Sequence, residues 1–148
     1  LYIANSRRTS KEIWNTIKSQ YKDVQNINLV DVNSTNTNEF VKILRNASKR
    51  FITPDSFNLI FESLSVSGKT YILQTAVNKK LRSFFLPNKH KFVVDKLIEE
   101  KKAGFVYADI SLGMKNMLHK LIEPLDGHEP FAEVEKVVYQ IKRFFNNA

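Results

Sequence analysis

The sequence predicts an all-α fold, a short solenoid-like stack of antiparallel hairpins with about seven helices. Three observations carry that expectation. Residues 57–68 (FNLIFESLSVSG) are echoed 36 positions on, counting from 57 to 93, by residues 93–104 (VVDKLIEEKKAG). Tyr71 and Tyr107 keep the same offset past the closing glycines Gly68 and Gly104. Apolar residues recur at helical spacing, and 4 Gly and 4 Pro leave room for long helices. A period of this size reads as stacked helical units, each burying its apolar face on a neighbour.

The elements follow in order. Residues 1–9 read as a basic, hydroxyl-bearing arm, free of acid up to Glu12 and compatible with the remnant of an organelle transit sequence. The start at Leu1 rather than Met reads as a fragment or a processed form. Residues 10–148 read as one helical domain. Thr9 and Glu12 have capping-box spacing for helix 1, which carries Ile13, Trp14, Ile17, Tyr21 and Val24 to about Asp23. The asparagine-rich stretch 25–38 reads as a surface loop, with 27–32 extended. Asn36 and Glu39 repeat the cap signal for helix 2. Thr53, Pro54 and Asp55 open helix 3, with Phe57, Ile60, Phe61 and Leu64 as its core stripe. A helix over 69–86 follows Gly68. The next begins at Asn88 and buries Phe92, Val93 and Leu97, and a further one runs from Gly104 to Ile122. Pro130 opens the last, with Phe131, Val134, Val137, Val138, Ile141, Phe144 and Phe145 on one face.

Composition narrows the function. Hydrophobic residues make up 43% of the 148, enough for a real core. Twenty-three Lys and Arg against 15 Asp and Glu give +8, which favours a polyanionic partner, whether RNA, DNA or an anionic membrane, without choosing among them. Absence of cysteine removes disulfides, thiolate catalysis and Cys-based metal sites. His90, His119 and His128 have no ligand spacing, so no metal or cofactor is expected. No apolar stretch reaches the length of a membrane span. Residues 63–70 (SLSVSGKT) place serine where a phosphate-binding loop needs its first glycine, and helical spacing where it needs a strand. The expectation is binding rather than catalysis.

From Thr53 the text TPDSFNLIFESLSVSGK resembles the first helix of a pentatricopeptide repeat, with its Pro-Asp, aromatic-Asn, aliphatic pair and Gly-Lys corner. Residues 54–88 span one such unit and 89–124 the next. The resemblance implies single-stranded RNA binding, mostly in mitochondria and chloroplasts. It places Asn58 at the main base-reading position, while the matching Val94 cannot read a base. A divergent unit contacting RNA backbone, or a small subunit of a mitochondrial ribosome, would fit.

The contact residues follow from charge and spacing. Lys42, Arg45 and Lys49 share a helical face at i, i+3, i+7, with Arg50 beside them. Lys79, Lys80 and Arg82, with Lys89 and Lys91 past Pro87, form a second group suited to phosphates. The alternative for such cations is to complement a helix C-terminus. Phe85 and Phe145, each in an adjacent aromatic pair, are candidate anchors for a protein partner. A protein–protein adaptor with an acidic partner is the main rival. A retroelement capsid-like assembly domain, suggested by residues 10–21, is the other.

Overall fold

Residues 69–75 (KTYILQT) form a strand, and that strand decides the architecture. A computed structural model describes residues 1–75, 88–108 and 118–126. These hold four helices and six strands in two sheets, so the chain is α/β and the all-α solenoid is overturned. The described chain divides into two units, Leu1–Asn46 and Ala47–Ala148.

The first unit runs β1 (Tyr2–Ala4), α1 (Lys11–Tyr21), β2 (Asn28–Val30) and α2 (Thr37–Asn46). β1 and β2 are parallel, with Tyr2 opposite Asn28 and Ala4 opposite Val30, so α1 is the crossover such a pair requires. Residues 1–9 therefore contain a paired strand rather than only an arm. The cap of α1 is Ser10, one residue beyond the expected Thr9; its hydroxyl accepts from the Ile13 amide at 3.3 Å. Trp14 is the buried residue of α1, whereas Ile13 and Val24 are exposed. α2 begins where the cap signal puts it, with the Asn38 amide donating to Asn36 Oδ1.

The second unit runs β3 (Lys49–Ile52), α3 (Phe57–Leu64), β4, which is Lys69–Thr75, α4 (Asn88–Glu99), β5 (Gly104–Ala108) and β6 (Leu118–Ile122). The sheet order is β3-β4-β5-β6, with the first three strands parallel and β6 antiparallel. α3 and α4 lie in the two parallel connections. Ile60 and Leu64 of α3 meet Val94 and Leu97 of α4 over Ile52, Ile72 and Ala103, so both helices cover the same sheet face. Complete burial of an Ile or Leu side chain contributes about 1.5–3 kcal/mol. Phe92, expected in the core, points to solvent instead, and Val94 takes its place.

The opposite face carries a row across three strands: Phe51, Tyr71 and Gly104 are register partners. The Phe51 and Tyr71 rings stack at 5.0 Å. A Cβ on Gly104 would come within 2.5 Å of Tyr71 Cδ1 and 2.8 Å of the Ile122 carbonyl oxygen, so the glycine makes room for the tyrosine.

The two echoed segments each run from a helix through a turn into a strand. α3 leads through Gly68 to β4, and α4 leads to β5 at Gly104. The second half of each copy is a strand rather than a helix, and the strand starts, Lys69 and Gly104, lie 35 positions apart. The helices expected over 69–86 and from 104 to 122 are replaced by β4, β5 and β6 within the described residues.

Candidate ligand site at the carboxyl edge of the sheet

In open parallel sheets, ligands dock outside the carboxyl ends of the strands, where loops meet helix N-termini. β3 ends at Ile52, and Thr53, Pro54, Asp55 and Ser56 turn the chain into α3. The turn closes through the Ser56 amide donating to the Thr53 carbonyl at 3.0 Å. Pro54 supplies the fixed φ that such a turn uses. Ile60 N donates to the Ser56 carbonyl at 3.1 Å, which starts the helix, but the Ser56 hydroxyl makes no capping bond. The turn therefore places the Thr53 and Ser56 hydroxyls beside the positive end of α3.

The other end of the sheet is closed by side chains. Arg50 is 5% exposed, and its guanidinium donates to the Ser67 carbonyl at 2.8 Å, fastening the α3–β4 turn. Gly68 in that turn has φ +105, and a Cβ there would meet the Ala47 carbonyl oxygen at 2.8 Å. Gly68, Lys69 and Thr70 thus join a helix to a strand, the reverse of a phosphate-binding loop. Lys69 bridges Asp126 at 2.6 Å and Glu123 at 3.5 Å. Tyr71 donates its hydroxyl to Glu123 at 2.6 Å. Burial first, and then the Glu123 carboxylate, push the Tyr71 phenol up to about 12. The Tyr71 hydrogen bond in turn holds Glu123 below the usual carboxylate range, and the Lys69 hydrogen bond does the same for Asp126. This cluster ties the segment after β6 to β4.

The sequence-derived contact residues are dispersed. Lys42 and Arg45 are exposed on α2, in the first unit. Lys49 and Arg50 lie on β3 in the second unit, because α2 ends at Asn46, so the single helical face expected for all four does not form. Burial also removes Arg50 from any phosphate. Asn58 is exposed on α3, but the superhelix that would make it a base reader is absent from an α/β unit. Lys91 is ion-paired with Asp95 one turn on. Lys89 lies on α4, while Lys79, Lys80, Arg82, Phe85 and Phe145 lie outside the described residues. No group of three or more metal-ligating side chains occurs among the described residues, and no described helix is long and apolar enough to cross a membrane.

Sequence reasoning took Thr53, Pro54 and Asp55 only as a helix cap. The missed signal was the short apolar pair Phe51 and Ile52 just before them, which makes the order strand, turn, helix.

Fold and turn together define a class: an α/β domain with a mostly parallel sheet, whose first strand leads through a tight turn into the N-terminus of α3. Residues 1–101 match the family described as Mitochondrial fission ELM1, more than half of the chain, and the chain belongs to that family. This match and the α/β fold overturn the expectation of a ribosomal, RNA-binding helical-repeat protein. It agrees with the expected mitochondrial placement only in that the family description is itself mitochondria-related. No curated protein and no solved structure matches the chain.

Proposed function

We propose that this chain serves mitochondrial fission, at mitochondria, as a ligand-binding α/β domain. Its ligand is a small polar molecule with an anionic group, docked on the turn formed by Thr53, Pro54, Asp55 and Ser56. The observation that carries the reading is the position of that turn, where a parallel strand ends and the N-terminus of α3 begins. The helix end favours negative charge, and the Thr53 and Ser56 hydroxyls can donate or accept. The role is binding, with no catalytic residue assigned. Membership in a family described as Mitochondrial fission ELM1 supports the choice of process.

The test is mitochondrial length in cells whose only copy of the protein carries Ser56→Tyr, which adds bulk to the turn. A thermal melt establishes that the variant folds. Elongated mitochondria with a wild-type melt are the expected outcome. A normal network with the folded variant would contradict the reading.

A further inference from the structure

Residues 123–126 (EPLD) leave the antiparallel strand β6 at the amino edge of the sheet, the end away from the 53–56 turn. They lie over the starts of β4 and β5 as a strap. Pro124 is the buried member, and its Cδ lies 2.9 Å from the position a Cβ on Gly104 would take, so that glycine seats the proline. The Leu125 amide donates to the Lys101 carbonyl at 2.8 Å. The Leu125 side chain is 54% exposed, and Glu123 and Asp126 are exposed as well. Apolar burial thus holds the strap at Pro124, and the rest of its attachment is polar.

That polar attachment converges on one cation. Lys69 Nζ bridges Asp126 at 2.6 Å and Glu123 at 3.5 Å, so two carboxylates share it. Lys49, the register partner of Lys69 on β3, adds a charge attraction on Glu123. The Tyr71 hydroxyl donates to the same Glu123 at 2.6 Å, from a side chain that is 1% exposed. Both bridges of Lys69 stand at the surface, where salt screens them and each contributes little. Weak, screenable contacts therefore fasten a strap beside a fully buried tyrosine.

We propose that residues 123–126 are an ionic strap that opens while the sheet stays folded, and that Lys69 is its pin. Release of Lys69 frees both carboxylates, lifts Pro124 from Gly104 and uncovers the Tyr71 hydroxyl. Phe51, stacked on Tyr71, is already 53% exposed, so the open state presents the Phe51–Tyr71–Gly104 row as one apolar surface. Segments with few buried apolar contacts are the ones that open locally, and the strap buries one residue of its four. The device lies at the amino edge and does not depend on the 53–56 turn at the carboxyl edge.

The test is native-state amide hydrogen exchange on the full chain, read at Leu125 for the strap and at Ile72 and Val106 for the sheet. Lys69→Met removes both bridges and keeps the stem of the side chain. It should speed exchange at Leu125 about threefold or more and leave Ile72 and Val106 at their wild-type rates. Lys69→Arg keeps the charge and should hold the slow rate. Raising salt to about 1 M, where charges are screened within about 3 Å, should speed Leu125 exchange in wild type and leave Lys69→Met unmoved. Asp126→Asn, at a side chain 86% exposed, should fall between the two and carries the test if Lys69→Met unfolds. Three outcomes would overturn the proposal: an unchanged Leu125 rate in folded Lys69→Met, equal acceleration of Leu125 and Ile72, or a wild-type Leu125 rate that ignores salt.

Discussion

In the Leu1–Asn46 unit one carboxylate, Asp31, gathers donors from the loop after β1, from α1 and from its own loop. In the Ala47–Ala148 unit the corresponding task, holding helices onto parallel strands, falls to aliphatic side chains: Ile52, Ile60, Leu64, Ile72, Val94 and Leu97. Both units build strand–helix–strand crossovers. The first has strands of three residues and little area to bury, so directional hydrogen bonds fix its register. The second has longer strands and relies on burial, which is non-directional and scales with area. The contrast teaches that a hydrogen-bonded carboxylate can do for short strands what aliphatic burial does for longer ones.

The largest effect is expected from breaking the aliphatic side of that comparison. Leu64→Ala removes a fully buried side chain at the centre of the core and should cost about 2–5 kcal/mol in chemical denaturation. Gly104→Val should cost about 1–3 kcal/mol, because its side chain must displace Tyr71 or the Ile122 backbone. A Gly104→Val variant as stable as wild type would show that the Phe51–Tyr71–Gly104 row is not packed as described.

The polar side responds to pH instead. The Asn5 hydrogen bond, then the Asn33 amide, hold the Asp31 carboxyl below its ordinary value of 3.8. A depressed folded-state value means that the contribution is complete above 3.8 and fades as pH falls through the lower folded value. Wild type should therefore exceed Asp31→Asn in stability at neutral pH, and the two should converge below 3.8. Fluorescence of Trp14, the sole tryptophan, follows this unit directly. A gap that persists undiminished at acid pH would remove the charge from the account.

The smallest effect sharpens the boundary between the two modes. Thr70 Oγ1 and Ser63 Oγ are buried under α3 with no hydrogen-bond partner among the described residues. Thr70→Val keeps the shape and deletes an unsatisfied hydroxyl. It should be neutral or stabilising by about 1 kcal/mol, whereas a loss would reveal a hydrogen bond to that hydroxyl.

Much of the helical content was legible. The caps at Ser10 and Asn36 lie within a residue of where side-chain chemistry placed them, and the Ile60 and Leu64 stripe marked the buried side of α3. The strands were not legible, for two physical reasons. β1 and β2 are too short to show a period of two. β4 lies inside a parallel sheet, and Tyr71 and Ile72 are both buried although they face opposite sides, so the alternation that marks a half-exposed strand is missing. The same gap hid the candidate site, because the 53–56 turn gains meaning only once a strand is seen to end before it. Arg50 misled for a related reason. A cation in a run of cations reads as surface, yet here it spans a turn from beneath.

The most direct test of the central claim is a set of cross-strand nuclear Overhauser effects in the full chain. Parallel β3-β4-β5 predicts backbone contacts between Arg50 and Thr70 and between Ile72 and Phe105, the register partners on which the carboxyl-edge turn depends. Strong sequential amide–amide contacts through residues 69–75, with these cross-strand pairs silent, would contradict it and return that segment to a helix.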